Sequence, residues 1–178
     1  MQESRSPAVV DRYFKYLDTC NPDRFMSKTT RLELLINRLV ETRRNIPINK
    51  LSLLDLGCGS PEGSRRWSYR EDDKYLPDLC VMAAKLGFRQ VVGIDLFNPD
   101  PMNTYSNYPN LMFMQEDLRL KDWREVIEMF VSEHGKFDCI QSFGVFAPTV
   151  ELLFPFKEDV AAFCREKLLS EEGFLYLT

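Results

Sequence analysis

No stretch of this sequence is apolar for long enough to cross a membrane, and its first residues, MQESRSPAVVDRY, lack the apolar core of a signal peptide. A basic excess is missing too. Lys and Arg number 23 against 27 Asp and Glu, a net charge of −4, so nothing favours counterion-driven binding to nucleic acid over a broad surface. Cysteine is sparse and badly placed for bridging. The five, Cys20, Cys58, Cys80, Cys139 and Cys164, are odd in number, widely spaced and mostly set in apolar pattern. That is the reduced, core-filling usage expected of a cytoplasmic protein, and it fits neither a disulfide frame nor a zinc site. Histidine occurs once, as His134, in the last turn of a predicted helix, where the helix dipole favours a surface position over a catalytic one. Internal repeats and low-complexity segments are absent. The expected partner is a small molecule, with no nucleic acid and no membrane.

What is present is organised around Leu51 to Gly63, LSLLDLGCGSPEG. A short apolar run ending at a glycine turn reads as a buried parallel strand. Gly57 and Gly59 remove two Cβ atoms, so the backbone can turn sharply and admit a close neighbour. Asp55, at the carboxyl end of the strand, points toward the crevice where open α/β sheets bind ligands. A buried carboxylate is costly alone, so a cationic or hydrogen-bonding group should meet it.

The 178-residue chain fits one domain, with residues 1–46 as a helical cap and 47–178 as the core. Ser6-Pro7 starts a first helix with Val9, Val10, Tyr13, Phe14 and Leu17 on one face, and Asn21-Pro22 breaks it. Thr30 and Glu33 form a capping box for a second, striped by Leu32, Leu35, Ile36, Leu39 and Val40. After Gly63 the polar segment SRRWSYREDDKY intervenes. The next helical pattern, Leu79 to Leu86, starts only after Pro77 and ends at Gly87, which implies an insertion of roughly fifteen residues of loop or extra helix. Arg65, Arg66, Trp67, Tyr69 and Arg70 either cover the crevice or form a surface excursion.

A second strand, within Arg89 to Phe97, ends at Asp95 and Leu96. An acid there matches the place where Rossmann-like folds bind ribose, because two vicinal hydroxyls suit the two oxygens of one carboxylate. Asn98 to Asn110 holds three prolines and reads as irregular. A third strand, Leu111 to Met114, leads to Asp117 and Leu118. A helix capped at Asp122 or its neighbour carries Trp123, Val126, Ile127, Phe130 and Val131 to Gly135. The fourth strand, Phe137 to Gln141 or so, opens into Ser142, Phe143 and Gly144. Phe143 and Phe146 are either core residues or the walls of a pocket whose aromatic faces attract a cation. A further helix from Glu158 presents Val160, Ala161, Cys164 and Leu168. Glu171-Glu172-Gly173 is expected to turn into a fifth strand from Phe174.

Asp55-Leu56-Gly57-Cys58-Gly59 resembles the first motif of the class I S-adenosylmethionine-dependent methyltransferases, and the resemblance extends over about residues 50–178. It departs where the family often carries a third glycine, at Pro61. It implies a Rossmann-like three-layer αβα sandwich with a mainly parallel sheet of order 3-2-1-4-5, S-adenosylmethionine as cofactor and S-adenosylhomocysteine as product. By that resemblance Asp55, Gly57, Cys58 and Gly59 lie under the methionine part, Asp95 with Leu96 at the ribose, and Asp117 with Leu118 at the adenine, Asp117 accepting from its amino group. Phe143 faces the sulfonium methyl. The two N-terminal helices resemble a lid over the cofactor cleft, or pack on the sheet. QSFGVFAP is not the Asp/Asn-Pro-Pro-aromatic run of enzymes that methylate DNA bases. Family members add a strand pair after the fifth strand, so either a further segment belongs here or the fifth strand forms an exposed apolar edge, through which a homodimer is expected.

The reading is methyl transfer to a small-molecule acceptor, with no catalytic base named. Two alternatives stand beside it: a non-catalytic module of the same fold that holds cofactor or partner, and an NAD(P)-binding enzyme, since Gly57-x-Gly59-x-x-x-Gly63 also fits dinucleotide turns.

Overall fold

The chain was examined as a computed structural model, which describes residues 46–63, 76–142, 145–146 and 153–177. Five strands form one sheet in the order β3-β2-β1-β4-β5: β1 Ser52–Leu56, β2 Gln90–Asp95, β3 Leu111–Gln115, β4 Phe137–Ser142 and β5 Leu169–Leu177. All four pairings are parallel. The central strands β1 and β4 are buried along their whole length, as apolar strands covered on both faces must be.

Alternation sorts the side chains into two cores. Leu53, Val91 and Cys139 face one layer, where helix α1, Asp78–Lys85, contributes Leu79, Cys80, Met82 and Ala83. Leu54, Leu56, Val92, Ile94 and Ile140 face the other. There α2, Asp122–His134, brings Trp123, Ile127 and Phe130, and α3, Lys157–Phe163, brings Val160. This is a Rossmann-like α/β fold. Phe146 is fully buried in the second core, which settles its role as packing. The Trp123 and Phe163 rings meet edge to face at 5.2 Å between α2 and α3, a geometry aromatic quadrupoles favour.

Several local expectations are corrected. Residues 61–63 are helical, so helix begins directly after the glycine turn and not only after Pro77, which agrees with the extra-helix form of the expected insertion. The Ser60 hydroxyl accepts from the Gly63 N–H at 3.1 Å, which makes Ser60 the capping residue and Pro61 the first helical position. Pro61 therefore starts a helix where the glycine pattern departs. Helix α2 begins at Asp122 after Lys121, and no side chain caps it. Glu171, Glu172 and Gly173 lie inside β5, which starts at Leu169: Phe137 pairs with Leu169 and Cys139 with Phe174, so the intervening residues bulge. A continuation from α3 through a π-helical turn, Cys164–Leu168, delivers the chain to β5 early. The loop after β2 is irregular, as expected. Asp100 organises it, accepting from the N–H groups of Thr104 at 2.7 Å and Tyr105 at 2.9 Å. The two N-terminal helices, the charged segment after Gly63 and Phe143 lie outside the described residues.

Register places one row across the sheet near its carboxyl end: Phe113, Gly93, Asp55, Gln141 and Tyr176, on β3, β2, β1, β4 and β5. Gly93 is the narrow point of that row. A Cβ added there would lie 2.9 Å from both the Cys58 sulfur and the Phe113 ring. Gly93→Ala should destabilise the fold by about 1–3 kcal/mol, as overpacked cores do. Urea denaturation should show the loss, and trimming Phe113 to Leu in the same chain should recover part of it; an unchanged midpoint would mean the row has slack.

Candidate nucleoside-binding site

Glycine governs the turn after β1 at two positions. Gly57 has φ 75° and Gly59 φ 97°, a region where a Cβ is strained. The Ile94 carbonyl accepts from the N–H groups of Gly57 at 2.7 Å and Cys58 at 3.1 Å, which pins the turn to β2. The room left by the missing side chain of Gly57 is used by the protein itself: a Cβ there would meet a Val145 methyl at 2.2 Å.

Asp55 is buried beneath the turn. Its Oδ1 accepts from the Gln141 side-chain amide at 2.6 Å, and the Cys80 thiol donates to Oδ2 at 3.6 Å. The expected hydrogen-bonding neighbour is therefore an amide from β4 and a thiol from α1. Burial raises the Cys58 thiol's pKa, and raises that of Cys80 well above the ordinary value; contact between the two thiols and the Asp55 charge add to the Cys80 shift. Both stay protonated, which suits a donor and removes the thiolate needed for reactivity.

Asp95 ends β2 and is half-buried. Its Oδ2 accepts from the Gly59 N–H at 3.0 Å, and its Oδ1 from the Ser60 hydroxyl at 3.1 Å and the Phe97 N–H at 3.2 Å. Burial lifts its pKa above the usual carboxylate range, while the N–H groups of Phe97, Gly59 and Leu96 and the Ser60 hydroxyl oppose the rise. Leu96 is partly buried, and its carbonyl accepts from the Gln115 side chain at 3.3 Å.

Asp117 follows β3 and is clasped by Arg119. The Arg119 Nε lies 2.8 Å and 3.0 Å from the two carboxylate oxygens, its backbone N–H donates at 3.0 Å, and a terminal guanidinium nitrogen completes the fork. Hydrogen bonding to Arg119 holds the Asp117 pKa below the ordinary range. Leu118 is buried in the second core.

Asp55, Asp95 and Asp117 thus stand at the tips of three adjacent strands, as the sequence implies, and each is met by the chain's own donors. Ser60 is the residue sequence reasoning missed. Its signal was the Ser-Pro pair at 60 and 61, the same capping signature that marks Ser6-Pro7. His134 lies in the last turn of α2 with its ring against Phe130, at 4.4 Å between centroids, exposed and away from these tips. Among the described residues no group of three or more His, Cys, Asp or Glu is arranged to hold a metal, and no helix is long and apolar enough to cross a membrane.

No protein-family model and no curated protein matches the chain. Among solved structures it is similar to the "putative S-adenosylmethionine dependent methyltransferase" of Listeria monocytogenes, at 20% identity and a TM-score of 0.38, over 76% of this chain. The chain spans about half the length of that structure, 51%. The fold assignment rests on the strand order and pairing described above.

Asp95 supplies a pH test. Its carboxyl titrates higher in the folded chain than in the unfolded one. Its contribution to stability is therefore fullest below the unfolded value and is lost as pH rises through the folded one. Stability of the wild type relative to Asp95→Asn should fall as pH is stepped upward through the acid range, then level off. A relative stability that climbs across the same interval would show a carboxyl titrating low when folded.

Proposed function

We propose that the chain binds S-adenosylmethionine and transfers its methyl group to a small-molecule acceptor. One observation carries the reading: Asp95, at the tip of β2, is fastened beside the Gly59 turn at the tip of β1. Strand order reverses between β1 and β4, and open α/β sheets bind ligands in the crevice at such a point.

The residues fit one half of such a cofactor well. Asp95 offers an acceptor to the ribose, and the left-handed backbone of Gly59 brings no side chain over it. At Gly57 the available room is filled by Val145, so the fit lies at the ribose end. Bound there, the cofactor would supply an electrophilic methyl group. The chain's part is then to hold the nucleoside along the strand tips and align an acceptor, and alignment of that kind can lower a barrier by roughly 7–11 kcal/mol.

The second reading is a non-catalytic module of the same fold. It is favoured by the engagement of Asp117 with Arg119 and of Asp55 with Gln141 and Cys80, which commits both carboxylates to the protein rather than to an acceptor's proton. NAD(P) binding is the third.

S-adenosylhomocysteine should raise the melting temperature while NAD leaves it unchanged; the opposite pattern selects the dinucleotide reading. Asp95→Ala should weaken binding of S-adenosylhomocysteine by about tenfold or more, the usual worth of a hydrogen bond to a charged group. Calorimetry showing equal affinity would remove Asp95 from the site. Labelled cofactor incubated with a metabolite mixture should give methylated product, and binding without transfer to any acceptor supports the non-catalytic module.

A further inference from the structure

The ribose reading treats both oxygens of Asp95 as free for a vicinal diol, and the geometry does not allow that. An ionised carboxylate offers about four acceptor positions, two on each oxygen. On Oδ1 the Ser60 hydroxyl and the Phe97 N–H occupy both. On Oδ2 the Gly59 N–H occupies one. The Leu96 N–H also favours the charged carboxyl. At most one position is left for a ligand, so a diol can place two hydrogen bonds on Asp95 only by evicting a donor of the protein.

Ser60 is the donor that decides this. It is fully buried, so it acts from beneath the carboxylate rather than on a ligand. Its hydroxyl is also fixed in direction, because the oxygen accepts from the Gly63 N–H at 3.1 Å and the hydrogen is thereby directed to Asp95. The two backbone donors are set by the turn and by the strand end. The hydroxyl is the contribution that a single substitution removes.

We propose that Asp95 accepts one hydroxyl of a ribose-type diol, through Oδ2, and that Ser60 is the positioning residue that reserves Oδ1 for the protein. The inference rests on the nucleoside reading above and concerns how selectively that nucleoside is read. A diol held at one oxygen is read unequally: one hydroxyl matters to affinity and its neighbour does not.

Calorimetry on the full chain tests it with S-adenosylhomocysteine and its 2′-deoxy and 3′-deoxy analogues. In the wild type one analogue should bind about tenfold or more weaker than the parent, the worth of a hydrogen bond to a carboxylate, and the other within about threefold. In Ser60→Ala the carboxylate loses the bond that fixes its orientation and can turn to offer both oxygens to the diol, so the gap between the two analogues should narrow. Ser60→Thr keeps the hydroxyl and should keep the wild-type gap. A purely structural role for Ser60 would shift all three affinities together and leave the gap unchanged, which overturns its assignment. Equal losses for both analogues in the wild type, a measurement that needs no variant to fold, overturn the one-hydroxyl inference and leave the nucleoside reading standing. Absence of S-adenosylhomocysteine binding overturns both.

Discussion

Asp95 sits where a strand end, a glycine turn and the start of a helix meet, and donors from all three converge on its two oxygens. The Gly59 N–H ties it to the turn after β1, the Phe97 N–H to its own strand's exit, and the Ser60 hydroxyl to the helical residues that follow. Each contact is of ordinary length. Their joint effect is to join the tip of β2 to the turn after β1, with the Ile94 carbonyl fastening the same turn one residue earlier. Burial works against the charge, and the surrounding donors work for it. Burial prevails, so the carboxyl's pKa stays above its ordinary value.

Below this fastening lies a polar row within an otherwise apolar layer. Asp55 and Gln141 are adjacent across β1 and β4 and bonded through their side chains, and the Cys80 thiol reaches them from α1. A buried carboxylate survives only when its hydrogen-bonding capacity is met, and here it is met from two separate elements. The arrangement fixes the register of β1 against β4 at the point where the strand order turns round. A slip of one residue would carry Gln141 to the opposite face and leave Asp55 without it. The other end of the sheet is fixed the same way: Asp138 accepts from the Ser52 backbone N–H and hydroxyl, each at 3.0 Å.

Most of the architecture was legible in the sequence because it is written in periodicities. Continuous apolar runs mark β1, β2 and β4, a helical stripe marks α2, and the glycines at 87 and 135 stop α1 and α2 with φ of 88° and 86°. The parts that were not legible depend on which partner a side chain takes, whether near in sequence or remote. Nothing near Asp117 says that Arg119 will fold back onto it rather than leave it for a ligand. Nothing near Asp55 names Gln141, which is 86 residues away. The start of β5 escaped because Glu171, Glu172 and Gly173 have turn chemistry, yet here they form a bulge inside a strand. Ser60-Pro61, by contrast, carries a helix start in its own two residues, a capping hydroxyl followed by proline at the first helical position.

Val145 leaves a last consequence. Glycine at 57 is ordinarily read as an opening, yet the size of an opening is fixed by whichever atom arrives first, and here that atom belongs to a valine following β4. The room at Gly57 is therefore set by a residue outside the glycine motif. Among chains with the same glycines, the side chain at this distant position would set how large a guest the turn admits.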